Sequence, residues 1–139
     1  MKNSQASVRS VLLAPVAAAT TARTAALDTQ GAKYATIEVI LGAQLNTNAT
    51  APAIVIAEAD TNAASAYATF NSSFSTSQAN AAATVGAYNI DLRGRKRYLR
   101  LTITPDTTTN GAVISSAVAI LDKEIRAANS ANADTVVVG

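Results

Sequence analysis

From Tyr98 to Thr104 the chain reads YLRLTIT, and a large aliphatic residue returns at every second position: Leu99, Leu101, Ile103. A period of two places those three on one face of an extended strand, with Tyr98, Arg100, Thr102 and Thr104 on the other. The same alternation recurs along the sequence, and a helical period is hard to find. YATIEVILG sets Ala35, Ile37, Val39 and Leu41 against Thr36 and Glu38. GAYNIDL alternates Tyr88, Ile90 and Leu92, and AVISSAVAIL puts Ile114, Val118 and Ile120 on a common face. A further strand is expected over Ala53–Ala59, with Pro52 at its start, where a missing N–H does least harm. Another falls near Thr24–Asp28, closed by the turn residues Thr29-Gln30-Gly31.

Punctuation between these runs favours antiparallel neighbours. Arg93-Gly94 reads as a turn, Pro105 ends the YLRLTIT strand, and Asn110-Gly111 favours the positive φ of a hairpin. Residues 60–83 are rich in Ser, Asn and Ala, with Tyr67, Phe70 and Phe74 as their large anchors. Alanine alone would permit a helix there. Recurrent Asn and Ser favour a long loop with one short strand around Ala66–Asn71. The expected fold is all-β: an antiparallel β-sandwich or barrel, jelly-roll-like, of about seven short strands.

Composition sets the thickness of its core. Apolar residues make up 49%, but 32 of the 139 residues are Ala, two are Phe and none is Trp. The core must be thin and built from Ile, Val and Leu. Charged residues reach only 14%, against roughly 25% in ordinary domains. Ser, Thr and Asn together number 38, which suits a weakly charged β-protein with polar loops.

Both ends read as arms, giving an N-terminal arm over 1–20, a β-domain over 21–122 and a C-terminal arm over 123–139. Lys2 and Arg9 before VLLAPVAAAT have the flavour of a signal peptide. The apolar run is short, broken by Pro15 and mostly Ala, so it is read as arm rather than leader. No run approaches the ~20 apolar residues of a membrane helix. The C-terminal Val136, Val137 and Val138 form a β-branched triplet suited to strand addition, either to a neighbour's sheet edge or as the last edge strand of the same domain.

Chemistry is sparse. With no Cys and no His, thiol nucleophiles, zinc–thiolate sites, Ser–His–Asp and Cys–His mechanisms and the commonest transition-metal ligand are all absent. There is no Gly-rich phosphate loop. Glu58 and Asp60, two apart at a strand end, could share Ca²⁺ with loop carbonyls, but such a pair is more often a solvated turn. The expectation is a protein that is not an enzyme and uses no metal or cofactor.

One cluster stands out. Arg93, Arg95, Lys96, Arg97 and Arg100 supply five of the 11 basic residues, in a chain of net charge +2. Nucleic-acid binding would need cations spread over a face with aromatic platforms, and Tyr98 alone accompanies these. Residues 95–97 lie beside a turn and cannot all point one way. Two readings carry more weight: a solvated hairpin end, and a protein-docking patch in which arginines meet carboxylates.

These residues also carry a resemblance. The order ALDTQGAKYATIEVILG, APAIVIAEAD, YNIDLRGRKRYLRLTITPDTTTNGAVISSAVAIL resembles small virion proteins of tailed bacteriophages over roughly residues 24–121. Asp28, Thr29, Gln30 and Gly31 match a D-T-Q-G turn of that group. Gly94, Lys96, Arg97, Tyr98, Leu99 and Arg100 match its G-x-(K/R)-R-Y-(L/V)-R strand. The chain departs from it at the acidic turn, here EADTNAAS, and through the Ser/Asn-rich stretch of 60–83. The resemblance implies a structural protein on the capsid surface of a virion, a decoration or cement protein. Its partner would be the major capsid protein, and it would be a homo-oligomer with a trimer favoured, without direct nucleic-acid or membrane contact. The alternative is another virion component: a head–tail connection, or a tail or fibre module that binds a host glycan through Tyr67, Phe70 and Phe74.

Overall fold

A computed structural model of the chain describes residues 7–16, 20–44, 50–74, 83–106, 112–122 and 135–138, with backbone only for 44, 71–74 and 135–138. Its strands are β1 (Ser7–Leu13), β2 (Arg23–Asp28), β3 (Tyr34–Gln44), β4 (Ala53–Ala59), β5 (Ala68–Phe74), β6 (Thr84–Asp91), β7 (Tyr98–Thr104), β8 (Val113–Asp122) and β9 (Thr135–Val138). Among the described residues the helical content is one 3-10 turn at Ala64–Ala66.

Two sheets pack face to face as a β-sandwich, not a closed barrel. One has the order β1-β8-β3-β6-β9 and the other β2-β7-β4-β5. The antiparallel pairs β1·β8, β2·β7, β3·β6 and β4·β5 are nested, as in one long hairpin rolled so that successive pairs fall in alternate sheets. That is the jelly-roll order, with β9 added in parallel on β6.

The alternation seen in the sequence decides which face each strand buries. Ala35, Ile37, Val39 and Leu41 of β3 and Tyr88 and Ile90 of β6 are at most 2% exposed and line the inside of the five-stranded sheet. Leu27, Leu99, Leu101, Ile103, Ile54 and Ile56 answer them from the four-stranded sheet. On β8 the inward residues are Val113, Ser115, Ala117 and Ala119, so Ile114, Val118 and Ile120 do share a face, but the outward one. Small side chains suffice on β8 because the sheets close at about 10 Å over the larger residues of β3 and β7.

Polar clasps finish the ends. Arg23 donates to the carbonyl and hydroxyl oxygens of Ser115 and, at 2.7 Å, to the carbonyl of Ala14, tying β2 to the opposite sheet. Asp106 Oδ2 accepts from the backbone N–H of Thr50 at 2.7 Å and from its hydroxyl at 3.0 Å, after β7 has ended at Pro105.

Two expectations are corrected. The N-terminal arm is not free over its described part: Ser7–Leu13 is an edge strand registered on β8 from Ser7↔Asp122 to Leu13↔Ala117, with a bulge after Val11. The chain's small, weakly patterned start hid it, since an edge strand needs little core. The short strand of the 60–83 stretch lies at Ala68–Phe74 rather than Ala66–Asn71, and the 3-10 turn takes Ala64–Ala66. Of the two readings of the C-terminal valines, the one seen is the last edge strand of the same domain: Thr135–Val138 pairs with β6, Val136 opposite Ala87 and Val138 opposite Asn89. The Asn110-Gly111 turn lies outside the described residues.

Candidate functional site

The two motif segments meet at one end of the sandwich, where the chain crosses between sheets twice: from β2 to β3, and from β6 to β7. Both crossings use the same four-residue device. In Asp28-Thr29-Gln30-Gly31, Asp28 Oδ1 accepts the N–H of Gln30 at 3.0 Å, and the Thr29 carbonyl accepts the N–H of Ala32 at 3.0 Å. In Asp91-Leu92-Arg93-Gly94, Asp91 Oδ1 accepts the N–H of Arg93 at 3.0 Å, and the Leu92 carbonyl accepts the N–H of Arg95 at 3.1 Å. Gly31 and Gly94 carry φ of +80° and +82°, the left-handed geometry that a type II turn requires at its third position. The aspartate supplies an Asx turn around each.

The twin turns are bolted together. The Arg97 carbonyl accepts from the Thr29 N–H at 2.9 Å and from its hydroxyl at 2.6 Å, while Leu92 N–H donates to the Lys33 carbonyl at 2.9 Å. Thr29 is accordingly buried. Sequence reading found each turn separately and missed that they are copies. The signal was present: D-x-x-G occurs at both ends of the crossover pair.

Around this frame the five cations fan out to different partners. Arg93 pairs with Asp91 on its own turn. Arg95 lies 3.9 Å from a Glu58 oxygen and stacks at 4.2 Å over Phe70. Lys96 Nζ sits 3.2 Å from Asp60. Arg97 makes a two-pronged contact with Asp28, Nε to Oδ1 at 3.0 Å and Nη2 to Oδ2 at 2.7 Å, and lies 4.9 Å over Tyr98. Arg100 stacks at 4.2 Å over Tyr67 and donates at 2.9 Å to the Ala64 carbonyl. Five cations thus face four carboxylates. Arg100 is the member of the cluster held by a ring and a carbonyl rather than by an acid.

Titration follows the pairing. The Arg93 side-chain hydrogen bond holds Asp91 down at about 2, and that contact in turn raises Arg93. The Arg97 side-chain hydrogen bond, helped by the Gln30 N–H, lowers Asp28, and Arg97 is raised by the same pair. Burial raises the Tyr67 phenol against the opposing pull of Arg100, and burial raises that of Tyr88 in the core.

The two aromatic candidates whose side chains are described, Tyr67 and Phe70, do not form an open platform. Tyr67 has a guanidinium over one face and donates its hydroxyl to Asn62 at 2.7 Å. Phe70 is half-buried against the core beneath Arg95. The side chain of Phe74 lies outside the described residues. Nor do Glu58 and Asp60 converge on a cation site: Glu58 turns to Arg95 and, at 3.4 Å, to the Lys96 N–H, and Asp60 turns to Lys96. No group of three or more metal-ligating side chains occurs among the described residues. Val136, Val137 and Val138 belong to β9, which runs parallel to β6 and reaches Asn89, two residues before Asp91 of the second turn.

Compared with known proteins, the chain matches no family model and no curated protein.

Proposed function

We propose that the chain is a structural virion protein of a tailed bacteriophage, a capsid decoration or cement module that binds the major capsid protein lattice and stabilises the head. One observation carries the reading. The two short motifs behind the resemblance, Asp28–Gly31 and Gly94–Arg100, are about sixty residues apart in the sequence, yet they meet as one unit through Asp28–Arg97 and Thr29–Arg97. The jelly-roll order is compatible, but that fold hosts many functions, and the argument rests on the motifs.

The mechanism is passive. Many copies on a shell make modest single contacts additive through multivalency, so the module needs rigidity and complementary surfaces rather than a reacting cleft. Arg93, Arg95, Lys96 and Arg97 brace the crossover end. Arg100, preorganised on Tyr67 and lacking a carboxylate partner of its own, is the cation placed to meet an acid of the capsid lattice. Cryo-EM of the intact particle tests the reading: density for this chain at capsid three-fold or quasi-three-fold positions supports it, and density confined to the tail refutes it. In a rebinding assay on heads stripped of the protein, Arg100→Glu is expected to lose uptake while Arg93→Glu keeps it. Equal uptake of both variants would remove Arg100 from the docking surface.

A further inference from the structure

The two outer faces of the sandwich differ in kind. On the four-stranded sheet the outward side chains include Thr24 and Thr102, hydrogen-bonded at 3.2 Å, and the stacked Arg100 and Tyr98. On the five-stranded sheet exposed aliphatics stand among Thr36, Glu38, Ser116 and Asn89. Val11 is 68% exposed, and Ile40 and Ile114 are each 46% exposed. Val118, Ile120 and Val85 are half-buried beside them. The registers make these residues contiguous: Val11 lies opposite Val118, Ile40 lies between Ser116 and Val85, and Ile114 packs against Gly42. Contiguous apolar surface of this sort on a flat sheet marks an interaction site.

Two charges punctuate the patch. Glu38 sits at its centre, opposite Val118, and Arg9 sits at the β1 edge, opposite Ile120. Among the described residues neither meets an opposite charge. They lie two strands and one row apart, roughly 12 Å from Cα to Cα at ordinary sheet spacings.

We infer that this face is a two-fold self-association surface, covered by the same face of a second copy of the chain. The charge pattern is what selects that occupant. In an isologous contact, residue i of one copy meets j of the other and j meets i. Arg9 of each copy then meets Glu38 of the other, and both charges are satisfied in one arrangement. Because β8 lies between β1 and β3, an axis that exchanges one copy's β1 with the other's β3 runs over β8. It brings Val118 against its own counterpart, with Ile120, Ile40 and Val11 around it. The geometry is that of two sheets stacked at about 10 Å, the same packing that builds the sandwich itself. This inference is independent of the head-decoration reading, and the trimer implied by the family resemblance would need a different, heterologous contact.

The test uses the full chain in sedimentation velocity over a wide concentration range. A concentration-dependent dimer is expected for the wild type. Arg9→Glu and Glu38→Arg should each weaken it by on the order of tenfold or more, because like charges then oppose each other. The double variant Arg9→Glu/Glu38→Arg should restore it. Since the chain has no Cys, Val118→Cys adds a unique thiol at the axis, and a short bis-maleimide spanning the roughly 10 Å between stacked sheets should couple it into a covalent dimer, whereas Thr104→Cys on the other sheet should not be coupled. All four positions are on outer faces, and circular dichroism verifies that each variant is folded. A wild type that stays monomeric at every concentration overturns the inference. So does a trimer, a double variant as weak as either single one, or a Val118→Cys chain that the bis-maleimide leaves monomeric.

Discussion

The twin turns make a quantitative claim about glycine. At Gly31 and Gly94 a Cβ would meet nothing within 4 Å, yet φ is +80° and +82°. An Ala there is opposed by backbone strain alone, about 1–2 kcal/mol for an L-residue in the left-handed region. Loss of glycine's freedom in the unfolded chain returns about 0.4–1 kcal/mol. The net destabilisation is then about 1 kcal/mol at each site, roughly 4 °C in Tm for a chain of this length. Asn tolerates the left-handed region and should be milder than Ala at both positions. Gly42 provides the contrast. Its Cβ would sit 3.2 Å from Ile114 Cβ and 3.4 Å from the Ile114 carbonyl, with no positive φ to relieve. There the penalty is steric and comes from the Cβ that Ala and Asn share, so Asn should hold no advantage over Ala. Urea midpoints of the six variants give the answer, since the advantage of Asn over Ala at the turns must disappear at Gly42. If Asn is no better than Ala at Gly31 and Gly94, or if those two sites differ by more than about 1 kcal/mol, the turns are not equivalent left-handed devices.

Three further outcomes follow from the same structure. With no His or Cys in the chain, urea midpoints should be flat between about pH 5 and 8. Asp91 is depressed to about 2 in the fold, so the unfolded chain binds more protons below the ordinary carboxylate range of about 4, and the stability its pair supplies is lost as pH falls through about 2. The difference between wild type and Asp91→Asn should therefore be constant above about pH 5 and shrink towards pH 2. Arg23→Met keeps the aliphatic stem but removes the donors to Ser115 and Ala14, and should cost about 1–3 kcal/mol by chemical denaturation, largely independent of salt. Leu101→Ala, at 1% exposure in the middle of the four-stranded sheet, should cost about 3–5 kcal/mol, and a loss below about 1 kcal/mol would mean that the sheets re-close over it.

What was legible in the sequence depended on how strongly one face was buried. β3, β6 and β7 were readable because each sets large apolar residues at every second position against polar neighbours, and the sandwich needs that pattern. β4 was marked by Pro52 and an Ile/Val run, and β9 by its terminal valine triplet. β1 was not legible, because it fully buries Leu13 alone and its ladder hydrogen bonds leave no mark on side-chain order. β8 was legible in part. Its larger residues, Ile114, Val118 and Ile120, do share a face, but the pattern did not say that it is the outer one, with the smaller residues turned inward. The basic cluster was visible as composition, but its meaning was not. Asp91 lies on the cluster's own turn, but Asp28, and Glu58 with Asp60, come from two other stretches of chain, and only the nested strand pairing brings those to the same end.

That division of labour places the two proposals in a relation that can be measured. Arg100 lies outward on the four-stranded sheet, and the aliphatic face lies outward on the five-stranded one. A dimer joined through its five-stranded faces is a stack of four sheets, so its two Arg100 faces look in opposite directions, roughly 30 Å apart at ordinary sheet spacing. A capsid shell offers a single surface. Only one copy of such a dimer can then engage it through Arg100, and self-association in solution adds nothing to the footprint on the head. Arg9→Glu, which is expected to be monomeric, should therefore bind stripped heads about as tightly per chain as the wild type, and should reach at most half the mass per site when the wild type binds as a dimer. Loss of head binding by Arg9→Glu, with Arg100→Glu unaffected, would reverse the assignment: the shell would then be gripped by the aliphatic face of the five-stranded sheet, and the braced arginine end would point away from it.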